Sequence, residues 1–430
     1  MAITHEVTIN RLDGIFVYQT MEVHMEEKAK PYLNDRNDND PAIFNCHVHI
    51  FTNQHAPQNF LMMHPYIKWE WLSRLLMYFV RRDKLSKWLI KQLNRLGRFS
   101  TFLTGEPSMF DELADTFERG RRLFVAGSKP EQIDVLRKIA GQYPSTTQFI
   151  VLPMNMHHMG LGDVPISIDR QHEVLEDLAT NSEFADQIIP FFAVDPRQDN
   201  IFADVEAAFS GADPVFKGIK IYPSLGYKPN DPRLMKIYAF CECKGIPVMA
   251  HCSTGGVWQK GFNMPDRRDH NQPSNYKQIL DCFPELRLCL AHFGGGEEWR
   301  SHIARQEDPD ECHEAWVRTI ADMIRSGNYP NLYTDVSYTI FEQPKRNGNR
   351  FDFIDYLNVL LEHPRIRERT LFGSDYYMVE QEDISEREVS ILLRSRLGRD
   401  LYFQIAHTNP IEYLGTIDGT KECNFEYECE

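Results

Sequence analysis

The chain has no CxxC pair, no GxGxxG or Walker-type loop, no long apolar run and no excess of basic residues. Without a CxxC pair, its nine cysteines are an odd set, and Cys46, Cys252 and Cys289, placed in apolar runs, read as buried free thiols. Without the roughly 18 consecutive apolar residues of a bilayer helix, no membrane span is expected. Met1 to Asn10 is mixed and polar, unlike a signal peptide, so the expected compartment is the cytoplasm. A net charge of −15 argues against a general nucleic-acid binder, which needs a basic face, and favours solubility. The acidic run Asn34–Asp40 lacks the glycine and closing glutamate of a calcium loop and reads as a solvated linker.

What is present is globular: 42% hydrophobic and 25% charged residues over 430 positions, enough for a large core. Strand-like runs fall at Ile43–Ile50, Phe149–Met154, Ile188–Val194, Phe216–Tyr222, Pro247–Cys252, Leu286–Ala291, Leu332–Val336 and Thr370–Phe372. Helix-like segments separate most of them: Pro130–Ala140, Gln171–Thr180, Asn200–Phe209, Pro232–Lys244, Asn275–Cys282, Cys312–Arg325 and Phe351–Leu361. Eight strands alternating with crossover helices predict an α/β fold, a parallel (β/α)8 TIM barrel, with a doubly wound open sheet as the alternative. The expected organisation is an N-terminal extension at 1–40, with a hairpin in Val7–Thr20, then a barrel at 41–415 and an acidic, mobile tail at 416–430. The barrel carries an insertion at about 52–125. Within it, Trp69 to Arg98 interleaves Trp71, Leu72, Leu75, Leu76, Phe79, Trp88 and Leu89 with Arg74, Arg81, Arg82, Lys84, Lys87, Lys91 and Arg95. That is one or two amphipathic helices with a basic face, read as a lid, a homodimer interface or a membrane-surface helix, the first two preferred in so acidic a chain.

Chemistry in a barrel belongs at the C-terminal ends of the strands. Those ends carry His47 and His49, Asn155 to His158, Asp195 and Arg197, Lys220, His251, His292, Asp335 and Asp375. His47 and His49 lie two apart and so project together from one strand. Imidazoles and carboxylates are costly to bury unpaired, so packing alone does not account for the set.

The segments Asn45-Cys46-His47-Val48-His49, Gly218-Ile219-Lys220-Ile221-Tyr222-Pro223, Pro247-Val248-Met249-Ala250-His251-Cys252, Leu290-Ala291-His292-Phe293-Gly294-Gly295 and Leu371-Phe372-Gly373-Ser374-Asp375 resemble the amidohydrolase superfamily. The likeness is to its family 2, the branch that includes aminocarboxymuconate-semialdehyde decarboxylase, and it extends over roughly residues 41–412. It implies a metal-dependent barrel enzyme with His47, His49, His251 and Asp375 as metal ligands and His292 and Asp375 as proton carriers. One zinc ion is the implied cofactor, with manganese or a second metal as alternatives. Lys220 falls where some members carry a carboxylated lysine; here it reads instead as a residue that serves the substrate or the barrel interior. The loop residues His158 and Arg267 are further substrate-contact candidates, against a reading of 266–269 as a solvated surface cluster. The resulting expectation is a hydrolase acting on a small organic acid, amide, ester or lactone. Non-oxidative decarboxylation of an aromatic or muconate-like acid is the second reading, and an inactive scaffold barrel the third.

Overall fold

The computed structural model describes residues 40–63, 69–80, 87–88, 90–92, 95, 109–305, 315–339, 353–382 and 384–423. The hairpin expected at Val7–Thr20 and all but the last residue of the Asn34–Asp40 loop lie outside the described residues.

The strands are β1 (Phe44–Val48), β2 (Gln148–Val151), β3 (Ile188–Pro190), β4 (Phe192–Val194), β5 (Ile219–Ile221), β6 (Val248–Ala250), β7 (Leu288–Leu290), β8 (Leu332–Asp335) and β9 (Thr370–Leu371). All neighbouring pairs are parallel, in the orders β1-β2-β3 and β4-β5-β6-β7-β8-β9. The break between the two sets is one residue, Phe191. Its N–H bonds to Val151 on one side, and the next N–H, from Phe192, bonds to Gly218 on the other. The strand expected at Ile188–Val194 is therefore one barrel stave shared by two ladders. Gly218 is required there, because a Cβ at that position would run into the buried Phe191 ring.

Between staves run the crossover helices. The insertion contributes α1 (Glu70–Val80) and α2 (Met109–Ala126), followed by α3 (Gln132–Ala140). Then come α4 (Ile168–Asn181), α5 (Ile201–Ala208), α6 (Pro232–Lys244), α7 (Met264–Asn271), α8 (Lys277–Cys282), α9 (Gly296–Arg305), α10 (Trp316–Ser326) and α11 (Phe353–Leu361). After β9 follow α12 (Tyr376–Gln381) and α13 (Glu386–Leu397). Local chemistry sets the boundaries. In α6, Asp231 caps the N-terminus by accepting the Arg233 N–H, Pro232 occupies the first turn, and Gly245 closes the C-terminus at φ +70°.

The barrel interior holds Phe44, Cys46, Ile150, Leu152, Ile189, Phe191, Met249, Cys289, Ala291, Tyr333 and Leu371. Alternate residues, such as Val48, Phe149, Val151, Ile219 and Ile221, pack outward under the helices. Closure runs through the seam between β1 and β9, where Cys46 N–H bonds to Phe372 O and Asp375 N–H to His47 O, both at 2.8 Å. The Asn45 side chain adds a stitch by accepting the Ser374 N–H at 3.0 Å.

Two expectations change. Among the described tail residues, Cys423 forms a disulfide with Cys243, Asp418 N–H bonds to Lys244 O, and Lys244 Nζ bonds to Gly419 O. This part of the tail is tied to α6 rather than loose. Such bonds persist in oxidising surroundings and are rare in the cytosol, so the cysteine chemistry lends no support to the cytoplasmic expectation. Cys46, Cys241, Cys252 and Cys289 are free and buried. No helix among the described residues is long and apolar enough to cross a membrane.

Gly373 lies at the seam, where an added Cβ would sit 2.7 Å from His47 Cβ and 3.2 Å from Ser337 Cβ. Gly373→Ala is expected to push β9 from β1 and cost about 1–3 kcal/mol by overpacking. Urea denaturation measures this; a midpoint equal to the parent's would show the seam to be slack.

Candidate metal centre

Strict alternation along β1 would not bring His47 and His49 inward. Cys46 faces the interior and Val48 faces the helices, yet they are two apart. The pairing with β2 slips between Asn45 and Val48, a bulge-like irregularity that inverts the facing of every later residue. The slip turns His47 and His49 toward the barrel mouth and leaves Asn45 among the outer helices.

There the structure gathers His47, His49, His251, His292 and Asp375, each no more than 6% exposed. One donor atom each from His47, His292 and Asp375 lie within 4.8 Å of one another. His49 joins through Asp375, with Nε2 3.6 Å from Oδ1, and His251 through His292, with Nδ1 3.1 Å from Nε2. His292 thus belongs to the compact group although the resemblance placed it outside the ligand set. His292 and Asp375 both take the left-handed backbone conformation, at φ +65° and +60°, which side chains adopt only when surroundings hold them there.

All four rings have one nitrogen engaged by a fixed acceptor. His47 Nδ1 bonds to Asp335 Oδ2 at 2.9 Å, His49 Nδ1 to Leu152 O at 2.7 Å, His251 Nε2 to Gly255 O at 3.2 Å, and His292 Nδ1 to Ser337 O at 3.2 Å. Each ring so pinned presents its second nitrogen as a lone pair. His47 Nε2 is buried with no hydrogen-bond partner.

Burial keeps these rings neutral. It pushes His49 down to about 3 and His292 down to about 4, and His47 and His251 well below the usual imidazole range. The carboxyl of Asp375 is pushed up to about 7 by burial. Asp335 goes the other way: burial alone would raise it, but the hydrogen bonds from His47 and Ser337 hold it well below the carboxylate range. Lys220, in register with Met249 and, one strand further, Cys289, points into the interior; its Nζ has no hydrogen-bond partner, and burial brings it down to about 8.

The remaining candidates lie apart. His158 is half-buried, stands edge-on to His157, and gives its carbonyl to Arg197. Arg197 in turn forks onto Asp195 at 2.6 and 2.9 Å, so that pair buttresses the barrel rim. Arg267 stacks on the Trp258 ring at 4.0 Å and bonds to Thr254 O at 3.0 Å. The cluster 266–269 is not a loose surface: a capping box between Asn263 and Asp266 starts α7, and Arg268 pairs with the buried Glu298 of α9.

Sequence reading missed three contributors. Asp335 was noted at a strand end without a role. Ser337, whose hydroxyl bonds to Asp335, left no sequence signal. Glu386, fully buried at the start of α13, looks in sequence like part of the Ser385–Glu388 capping box. It accepts from Tyr143 Oη at 2.9 Å and Asn45 Nδ2 at 3.3 Å behind the seam.

A parallel α/β barrel with a buried histidine–carboxylate cluster at its strand exits is the class that fold and site define. Within that class the chain belongs to the amidohydrolase family, whose profile matches residues 167–416. No curated protein matches the chain. Among solved structures it is similar to 5-carboxyvanillate decarboxylase from Novosphingobium aromaticivorans, complexed with manganese (14% identity, 76% of this chain and 92% of that one, TM-score 0.46). An amidohydrolase from Burkholderia multivorans with bound zinc is also similar (15% identity, 68% and 92%, TM-score 0.45). So is an uncharacterised TIM-barrel protein from Bordetella bronchiseptica (19% identity, 69% and 89%, TM-score 0.45).

Burial pushes the Glu386 carboxyl from its usual 4.5 up to about 7. Its stabilising contribution is therefore full at low pH and is lost as pH rises toward the folded value. Glu386→Gln keeps the shape and removes that loss. Relative to the parent, the variant is expected to gain stability between about pH 5 and about pH 7.5 in urea denaturation. A difference that stays constant with pH would show Glu386 to be ionised throughout.

Proposed function

We propose that the chain is a metal-dependent hydrolase of a small carbonyl-containing substrate, with His47, His49, His251 and Asp375 holding one divalent cation, zinc or manganese. The observation that carries this is the set of pinned rings. Four imidazoles each have one nitrogen held by a fixed acceptor; the second nitrogen of His49 lies 3.6 Å from the Asp375 carboxylate, and those of His251 and His292 face each other at 3.1 Å. Such a donor set repels itself and suits a cation of borderline hardness. A bound divalent cation supplies Lewis acidity toward a carbonyl and brings a coordinated water's pKa toward about 7.

The chain's own groups do the rest. Asp375 takes a proton from the attacking water at its carboxylate oxygen. Its partner in moving that proton to the leaving group is His292, which works at Nε2 because Nδ1 is held by Ser337 O. Lys220 offers a buried, unpartnered Nζ that fits a substrate carboxylate. That amine also favours a second reading, non-oxidative decarboxylation, because it would hold the carboxylate of an aromatic or muconate-like acid.

Metal analysis and turnover test the assignment together. His47→Ala and His251→Ala are expected to drop bound metal from about one ion per chain to a small fraction. Asp375→Asn is expected to lower kcat by about 10²–10⁴-fold. His292→Asn is expected to keep its metal and lose turnover; loss of the ion instead would make His292 a ligand. Carbon dioxide release, measured beside ester, amide and lactone cleavage, separates the two reactions.

A further inference from the structure

The insertion helix α1 presents an apolar stripe outward. Trp71, Leu75 and Tyr78 recur at i, i+4 and i+7, on one helical face, and are 63%, 44% and 50% exposed. Trp69, 59% exposed, stacks on Trp71 with ring centroids 6.2 Å apart, and Trp88 further along the insertion is 57% exposed. The opposite side of α1 meets the protein, since Ser73 is fully buried. Interspersed with the stripe are the exposed cations Arg74, Lys87, Lys91 and Arg95. Residues 69–98 carry eight Lys and Arg against two acidic residues, a local balance of +6 within a chain of −15.

We propose that this stripe docks the protein on an anionic lipid surface, with Trp69, Trp71, Leu75, Tyr78 and Trp88 entering the headgroup–acyl boundary and the flanking cations meeting lipid phosphates. Charge complementarity selects this occupant. A second copy using the same patch in a two-fold interface would set one basic segment against another. A nucleic-acid backbone would satisfy the cations but offers no apolar medium for Leu75. Tryptophan and tyrosine beside arginine and lysine on a helix of high amphipathicity are what an interfacial helix requires. The acidic remainder of the chain is repelled by the same surface, so attachment is oriented, with the insertion toward the lipid.

The test is cosedimentation of the full chain with phosphatidylcholine vesicles, with and without phosphatidylglycerol, alongside tryptophan fluorescence. Binding and a blue shift are expected with phosphatidylglycerol only, weakened but not abolished by high salt. Lys91→Ala is expected to weaken binding about fivefold, and Leu75→Ser by roughly tenfold or more. Circular dichroism of both variants should match the parent, because the altered side chains are solvent-facing. Failure to bind anionic vesicles, equal binding to neutral ones, or indifference to Leu75→Ser would overturn the proposal. So would sedimentation equilibrium showing a dimer that Leu75→Ser dissolves.

Discussion

The candidate site depends on one buried carboxylate. Asp335, wholly inaccessible at the end of β8, accepts from His47 Nδ1 with one oxygen and from the His292 and Ser337 N–H groups with the other, at 2.9 to 3.0 Å. The Ser337 hydroxyl adds another donor. An unpaired charge in that position would cost several kcal/mol, and this many donors are what make it tolerable. In return, the carboxylate fixes the His47 tautomer and holds His292 in its left-handed conformation. It thereby determines which nitrogens look into the barrel mouth.

A second constraint lies at the seam. β1 and β9 meet through a few bonds rather than a ladder, and both contribute to the cluster: His47 and His49 from one side, Asp375 from the other. Asn45, Ser374, Tyr143 and Glu386 form a buried polar group behind that seam, with Asn45 Nδ2 donating to Ser374 Oγ at 2.8 Å. The same contacts that close the barrel therefore set the distance between the first-strand histidines and the eighth-stave aspartate. Further out, α2 clamps the helix that follows Asp375. Lys138, on the next helix, pairs with Glu380 at 2.7 Å, and Arg119 pairs with Glu382 beside Tyr338. The end of the insertion is thus bound to the rim, while α1 turns its aromatic face outward.

Much of the fold was legible because buried parallel strands and amphipathic crossovers leave strong periodic signals. All eight expected strands are present, and the helix expected at Pro232–Lys244 has those bounds. The candidate cluster was legible for the same reason: strand exits are few, and histidines at several of them have no packing rationale. The misread tail and the loop after β6 share a cause. In both, a polar and charged composition reads as solvated, but Arg268 finds Glu298, and Cys423 finds Cys243, only through the fold.

By itself, the sequence determined the barrel and which side chains reach its mouth, since strand period, helix punctuation and residue chemistry are local properties. Only the tertiary structure decided how those side chains face one another. The slip in β1 that turns His47 inward, the pinning of each ring by Asp335, Leu152, Gly255 or Ser337, and the burial that brings Asp375 to about 7 all arise between segments far apart in the chain. No local pattern encodes them, because each is a relation between two staves rather than a property of one.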